Sequence, residues 1–378
     1  VIALPEESWD VVVIGAGPAG SSAAIASARS GLKVLLVDAK RFPRRKVCGG
    51  CLNRVSVKLL QQLIGPQHRL WESAIPLTGF RMTHRNRRFD FAMPAGQAVD
   101  RAELDQSLVD VAQEAGVTFR SPVTAKILSM GNEARLIELA AKDHIATVSA
   151  KVAVIAGGLS NRAANDCDTL QQTVKTSSRV GIEAIYADFP QDYVAGLIHM
   201  VVARDGYVGL TQIAGKRLHV AAAVTRSALQ RLGPVATAQG ILHDAGAVML
   251  PKNAAATWRG TPPLTARAKR LAAERVFLVG DAAGYVEPFT GEGIRWALES
   301  GRGVAPFVHA AQGAWQPSLI ERWESWYHRN LVAEQRLCRR LAFGLKQPAA
   351  RWIGHHALCV QPRIASSIIA RLNTEPQL

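Results

Sequence analysis

Cys48 and Cys51 enclose two glycines in the stretch KVCGGCLN, residues 46–53. Three chemistries use thiols at this spacing: a redox disulfide, half of a tetrahedral metal site, or a thiol loop beside a separate redox group. A zinc centre needs two more ligands, and no second CxxC or His pair follows at zinc-like spacing. His355 and His356, near Cys359, read as surface residues. No metal is expected. GxSxG is absent too, so no nucleophile elbow is expected.

A second constellation is Gly15-Ala16-Gly17-Pro18-Ala19-Gly20, with Asp38 placed 18 residues beyond Gly20. Gly15 permits a tight turn, Gly17 a close backbone approach to a pyrophosphate, and Gly20 close helix packing. The following helix N-terminus supplies partial positive charge, and the acid accepts from ribose hydroxyls. Near the other end, LVGDAAGYVEPFTGEGI sets Asp281 directly after an apolar run and follows it with glycines. An acid there can hold ribityl hydroxyls, and two remote contacts of this kind fit a long cofactor, FAD.

These residues need a scaffold. DVVVIG at 10–15 reads as a buried strand, the Ala-rich stretch ending at Gly31 as a helix, and VLLVD at 34–38 as a second, parallel strand. NRVSVKLLQQLIG (53–65) has Val55, Leu59, Leu60 and Leu63 at helical spacing. AVDRAELDQSLVDVAQEAGV (98–117) starts at Asp100 as N-cap, with Glu103 three residues on. Between 123 and 155, VTAKILSM, ARLIELAA and HIATVSA read as a three-strand meander, and VAVIAGG as a separate strand returning to the parallel sheet. RVGIEAIYA, GLIHMVVA, GYVGLTQI and RLHVAAAV, within 179–224, read as strands of a second, mostly antiparallel region. The segments after 293 read as helices.

Composition narrows the function. The chain has 378 residues, 48% of them hydrophobic and 20% charged, enough to bury a large core in about two domains. Its net charge of +15 suits acidic partners such as carrier-linked acyl groups or anionic lipid. Only 6% of residues are aromatic and no nucleic-acid module is recognisable, so no nucleic-acid partner is expected. Five cysteines are too few for a secreted disulfide framework. With no leader pattern or long apolar run, the expected location is the cytoplasm, at most peripheral to a membrane. The basic C-terminal segment with Trp323, Trp326, Tyr327 and Trp352 could rest on such a membrane. The alternative is that it docks on the protein's own core.

GAGPAG, FPRRKVCGG (42–50), DRAELD (100–105) and GDAAGYVEPFTGEGI (280–294), in this order, resemble the FAD-dependent p-hydroxybenzoate hydroxylase superfamily, and within it the geranylgeranyl reductase branch. The resemblance spans essentially the whole chain. It implies an α/β fold: a Rossmann-type FAD-binding domain with a parallel sheet and β-meander, an inserted, mostly antiparallel α+β substrate domain, and a helical C-terminus. The implied division is 1–75, 98–168 and 263–315 for FAD binding, 76–97 and 169–262 for the substrate domain, and 316–378 for the C-terminal helices. Arg101 is implied at the FAD diphosphate, Asp281 at the ribityl and diphosphate region, and Gly291, Gly293 and Ile294 along the flavin ring. Ala39, Val123 and Gly157 complete the cofactor contacts with Gly15, Gly17, Pro18, Ala19, Gly20 and Asp38. Lys46, Cys48 and Gly49 align with the branch's cysteine loop, whereas Cys51 has no counterpart there. Disulfide reductases carry Cys-x4-Cys at this place together with a second nucleotide domain, and neither is found here. The catalytic expectations are therefore Cys48, with its thiol at the flavin, and Tyr207. His199 and His219 are weaker candidates.

Three departures qualify the resemblance. Ala156-Gly157-Gly158 lacks the acid of the usual Ala-Asp-Gly turn, which weighs against direct NAD(P)H reduction and toward a separate flavin reductase as electron donor. Gly206-Tyr207-Val208-Gly209-Leu210 keeps the tyrosine but not the tryptophan of the branch's Tyr-x-Trp-x-Phe-Pro stretch, so the cavity should differ. The tryptophan-rich halogenase motif and its lysine context are missing, which argues against halogenation. The expected activity is FAD-dependent C=C reduction on a hydrophobic isoprenoid or polyketide-like molecule. The alternatives are flavin-dependent hydroxylation of such a molecule, or a catalytically silent FAD-stabilised module that binds a partner or membrane.

Overall fold

The computed structural model describes residues 8–344, apart from 132, 143, 166, 252–255 and 288–290, together with 347 and 356. The chain starts with strand β1 (Ser8–Ile14), helix α1 (Pro18–Arg29) and strand β2 (Val34–Val37). Val11 to Val13 and Leu35 to Val37 have no accessible surface, so the β-branched run is buried on both faces as a parallel central strand requires. After the cysteine loop come α2 (Arg54–Ile64), the hairpin β3 (Ile75–His84) and β4 (Arg87–Ala98), and α3 (Arg101–Glu114). Asp100 caps α3 as expected, accepting from the Ala102 amide at 2.9 Å. Glu103 does not turn back to that cap; it accepts from Ser73 Oγ at 2.7 Å.

Strands β5 (Thr118–Arg120), β6 (Thr124–Met130), β7 (Arg135–Ala141) and β8 (His144–Ile155) follow. Here two expected strands are one. β8 runs unbroken for 12 residues, pairing antiparallel with β7 through Ala150 and, from Ser149 on, parallel with β1. At Ser149 and Ala150 the strand pairs with β7 on one edge and with β1 on the other, so no turn separates meander from sheet.

The four strands expected in 179–224 are present as β9 (Val180–Tyr186), β10 (Leu197–Ala203), β11 (Gly206–Ile213) and β12 (Arg217–Val224). Helix α4 (Arg226–Ala245) then covers β10, β11 and β12. The sequence assigns no helix there, because Gly233 (φ 75°) and Pro234 break the pattern at a kink. β13 (Arg259–Pro263), β14 (Ala266–Ala268) and β15 (Val276–Leu278) precede helices α5 (Gly293–Gly313), α6 (Ser318–Tyr327) and α7 (Ala333–Gly344).

The first sheet has the path Ala272–Ala273, β15, β8, β1, β2, β5, with β7 and β6 extending from β8. The second runs β13, β9, β12, β11, β10, β3, β4 and ends on Cys51–Leu52, which pairs with Ala98 and Gln97. The fold is thus the expected Rossmann-type α/β architecture with a meander, a mostly antiparallel second sheet and C-terminal helices. The cysteine loop ties the two sheets together.

The C-terminal aromatics take the alternative reading. Trp323 is fully buried, stacked on Trp326 at 5.2 Å and edge-on to Phe277 at 6.3 Å, and Tyr327 is buried with it. These rings fill the core instead of facing a membrane. Trp352 lies outside the described residues.

Candidate functional site

Gly15 sits at the carboxyl end of β1 with φ +105°, and any β-carbon there would collide with the Ala156 carbonyl at the end of β8. Gly20 is packed under Gly15 in the same way, and Ala19 lies against Gly280 and Gly301 of α5. Gly15 and Gly20 therefore let α1 start directly against two strand ends. Its N-cap, Gly17, offers no side chain to the first-turn amides, which leaves them to a ligand.

Asp38, at the end of β2, accepts from the Ala16 amide (Oδ2, 2.9 Å) and the Lys40 amide (Oδ1, 2.9 Å). Arg44 reaches Asp38 Oδ2 at 3.3 Å and Asp105 Oδ2 at 3.0 Å. Asp105, fully buried in α3, also takes two bonds from Arg101 Nη2, at 2.8 and 3.1 Å. Burial disfavours the Arg101 cation, but Asp105 and Cys48 outweigh it and hold the guanidinium above its ordinary range. The buried Nε atoms of Arg44 and Arg101 have no hydrogen-bond partner among the described residues. Two arginines with spare donors beside a glycine cradle and a helix N-terminus suit a diphosphate. The site therefore fits FAD.

A cavity of about 1170 Å³ runs from Asp38 past the cysteine loop into the second sheet. It exceeds the roughly 300–1,000 Å³ of a common ligand pocket. Gly15, Pro18, Asp38, Ala39, Lys46, Cys48, Gly49, Arg101, Val123, Gly157, Asp281, Gly291, Gly293, Ile294 and Tyr207 all line it, so the expected residues converge. Gly17, Ala19 and Gly20 stand behind them. His199, bonded to the Val194 backbone through Nε2, and His219, beside Glu183 at 3.6 Å, are not in the lining.

In the cysteine loop, the Cys48 thiol is within hydrogen-bonding reach of Arg101, and its sulfur accepts from the Gly50 amide at 3.5 Å. Cys51 faces the second sheet beside Thr211, and burial followed by the neighbouring Cys48 pushes its thiol up to about 12. Cys51 is only partly accessible and lines the cavity, and its thiol donates to the Gly49 carbonyl at 3.3 Å. Both cysteines are free. Lys46 Nζ lies 3.7 Å from Asp281 Oδ2 and against Gly158, the turn that lacks the expected acid.

Beyond the loop the walls are mostly apolar, with Phe80, Met82, Phe91, Ile198, Met200, Val202, Leu210 and Leu264, and include the polar His84, Thr211, Arg259 and Thr261. Tyr207 is buried here, with Arg179 5.6 Å from its ring and its hydroxyl bonded to Glu287. Burial, then the Glu287 charge, pushes that hydroxyl well above its ordinary range. Arg179 and Glu287 form a buried ion pair at 2.8 Å.

Glu292, in the GEGI turn, is another residue that sequence reasoning did not single out. Its Oε1 accepts from Asn53 Nδ2 at 2.8 Å, and Arg295 lies 3.6 Å from Oε2. Arg295 also bonds Glu299 at 2.9 Å and Glu334 at 2.8 Å, so one cation serves three carboxylates. Burial raises Glu292 to about 8, against the pull of Arg295 and Asn53 and with help from Glu334 and Glu299. The folded state therefore holds a proton that the unfolded chain releases near its ordinary 4.5. The stability this group contributes is complete below about 4.5 and is lost as pH rises through about 8. Urea unfolding across this range should show stability falling with pH, and Glu292→Gln should flatten the fall; an unchanged slope in the variant would assign it elsewhere.

A family model described as an FAD binding domain matches residues 8–335. Menaquinone reductase of Mycobacterium tuberculosis (strain ATCC 25618 / H37Rv) is 27% identical over 360 residues, covering 89% of this chain and 85% of that one. Digeranylgeranylglycerophospholipid reductase 1 of Methanococcoides burtonii is 26% identical, covering 78% and 73%. Among solved structures, a flavin-dependent brominase superposes with a TM-score of 0.81 at 17% identity, covering 97% and 93%. A geranylgeranyl bacteriochlorophyll reductase-like protein of Thermoplasma acidophilum gives 0.75 at 17%, covering 98% and 92%. At these identities the superpositions speak for the fold alone. No described helix is long and apolar enough to cross a membrane.

Proposed function

The chain belongs to the FAD binding domain family and is an FAD-dependent oxidoreductase, and from that premise we propose that it transfers oxygen from reduced flavin and O2 to a hydrophobic small molecule. The observation that carries this reading is the apolar chamber meeting the cofactor cradle at the cysteine loop. When bound, FAD supplies the two-electron chemistry; Arg101 and Arg44 would hold its diphosphate, Asp38 its ribose, Asp281 its ribityl chain, and the 291–294 turn its ring. The chain's own residues exclude water and orient the substrate. Burial pushes the hydroxyls of Tyr207 and Tyr285 and the thiol of Cys51 above their ordinary ranges, and Glu292 turns its carboxyl to Asn53 and Arg295. Oxygen transfer asks for a dry pocket more than for an acid.

The second reading is C=C reduction, favoured by the reductase names of the sequence relatives and by a thiol beside Arg101. Saturating an isolated alkene needs a strong proton donor, which the raised hydroxyls of Tyr207 and Tyr285 and the Cys51 thiol are not, so these groups suit a carbonyl-activated alkene better. Electrons come from NAD(P)H or a separate flavin reductase, and the turn at Gly157 favours the latter. Holoprotein reduced without oxygen, then mixed with a candidate and 18O2, divides the readings. Oxygen transfer gives labelled product only with O2; reduction reoxidises the flavin anaerobically and gives a saturated product. Slow reoxidation indifferent to every candidate would leave a silent flavoprotein. Cys48→Ser is expected to slow turnover about 10- to 100-fold with flavin retained, and unchanged turnover would remove the thiol from the reaction.

A further inference from the structure

Tyr207 is the tyrosine that sequence reasoning singles out, yet its hydroxyl is taken by Glu287. Tyr285 is differently placed. It lies four residues after Asp281, its backbone is held by pairing with Ala266 of β14, and its ring packs on the apolar cluster of Met200, Val202, Tyr207 and Leu264. It lines the cavity, and its electrostatic neighbours are Asp281 and Cys48 toward the cofactor and Tyr207 and Glu287 toward the second sheet. It thus stands at the junction of cradle and chamber. Its hydroxyl makes no hydrogen bond to a described residue, and Tyr285 is partly accessible and lines the cavity. A phenol hydroxyl left unengaged by the protein at a cavity wall is a donor that a ligand in the chamber can use.

We propose that the Tyr285 hydroxyl donates a hydrogen bond to an acceptor oxygen of the substrate, so the molecule taken is a hydrophobic one bearing a carbonyl or equivalent oxygen beside its reacting carbon. This rests on the reading of the chamber as a hydrophobic-substrate site and holds for either reaction. Burial, then Asp281 and Cys48, keep the hydroxyl protonated well past neutral pH, so it remains a donor. A carbonyl so held is polarised, which activates the neighbouring carbon, and its position relative to Asp281 fixes which end of the molecule faces the flavin site.

The test is a binding titration of oxidised holoprotein, read from the perturbation of flavin absorbance by two probes of one shape, 2-acetylnaphthalene and 2-ethylnaphthalene. Wild type should prefer the ketone about tenfold, the worth of one buried neutral hydrogen bond. Tyr285→Phe should abolish the preference while still binding the hydrocarbon, and Tyr207→Phe should retain it because that hydroxyl already serves Glu287. A preference that survives in Tyr285→Phe, or none in wild type, overturns the proposal and leaves the hydrophobic chamber standing. If neither probe perturbs the flavin of wild type, the hydrophobic-substrate reading itself falls, and the proposal with it.

Discussion

Asp105→Ala is expected to destabilise the protein by about 3–5 kcal/mol and to yield it largely without flavin. Asp105 has no accessible surface and is the shared anion of Arg101 and Arg44. Removing it leaves Arg101, itself 7% exposed, with no described carboxylate bonded to it, and leaves Arg44 with Asp38 alone at 3.3 Å. A buried pair contributes little net stability because desolvation offsets attraction, but breaking one side leaves a charge that water cannot reach. The effect on flavin follows from the same geometry: without Asp105 the two guanidinium groups lose the anion that fixes them beside the glycine cradle. Asp105→Asn keeps an acceptor and should lose roughly half as much. Urea unfolding of flavin-free protein measures the first effect and flavin content after dialysis the second. A loss under about 1 kcal/mol in Asp105→Ala would mean that the arginines find water in the folded state.

Glu287→Ala should cost a similar 3–5 kcal/mol, whereas Arg179→Met combined with Glu287→Leu should return to within about 2 kcal/mol of wild type. Arg179 and Glu287 are 3% and 1% exposed by side chain and meet at 2.8 Å, joining the start of β9 to the segment that follows Asp281. The single change strands Arg179; the double change replaces both charges by apolar groups of similar bulk. The residue left over in the double variant is Tyr207, which loses its acceptor at about 1–3 kcal/mol if no water replaces it. Chemical denaturation of Arg179→Met, Glu287→Leu and the double variant closes the cycle. Additive losses would show that the two charges are not coupled.

Much of the fold is legible because its signals are local. β1, α1 and β2 follow from a β-branched run, three glycines and an Ala-rich stretch, and four strands of the second sheet, those within 180–224, follow from runs of apolar residues. The failures are also physical. β8 was divided because a strand that changes partners at Ser149 and Ala150 carries no turn residue to mark the change. α4 is not legible in the sequence because Gly233-Pro234 is punctuation locally but only a kink under the tertiary packing of Ala238, Ile241 and Leu242.

Chemistry divides the same way. The cradle of Gly15 to Gly20, the acids at 38 and 281, and the thiol loop are written in residue type and spacing, since each acts through backbone geometry or a strand end. The roles of Asp105, Glu287, Glu292 and Tyr285 are not, because each depends on which distant segment faces it. Glu292 meets Asn53 from 239 positions away, and Glu287 meets Arg179 across 108. Burial and pairing set whether such a carboxyl is a surface charge, an anchor or a held proton. The same holds for the tyrosines: residue identity offers two equal phenols, and packing commits the hydroxyl of Tyr207 to Glu287 while leaving that of Tyr285 to the cavity.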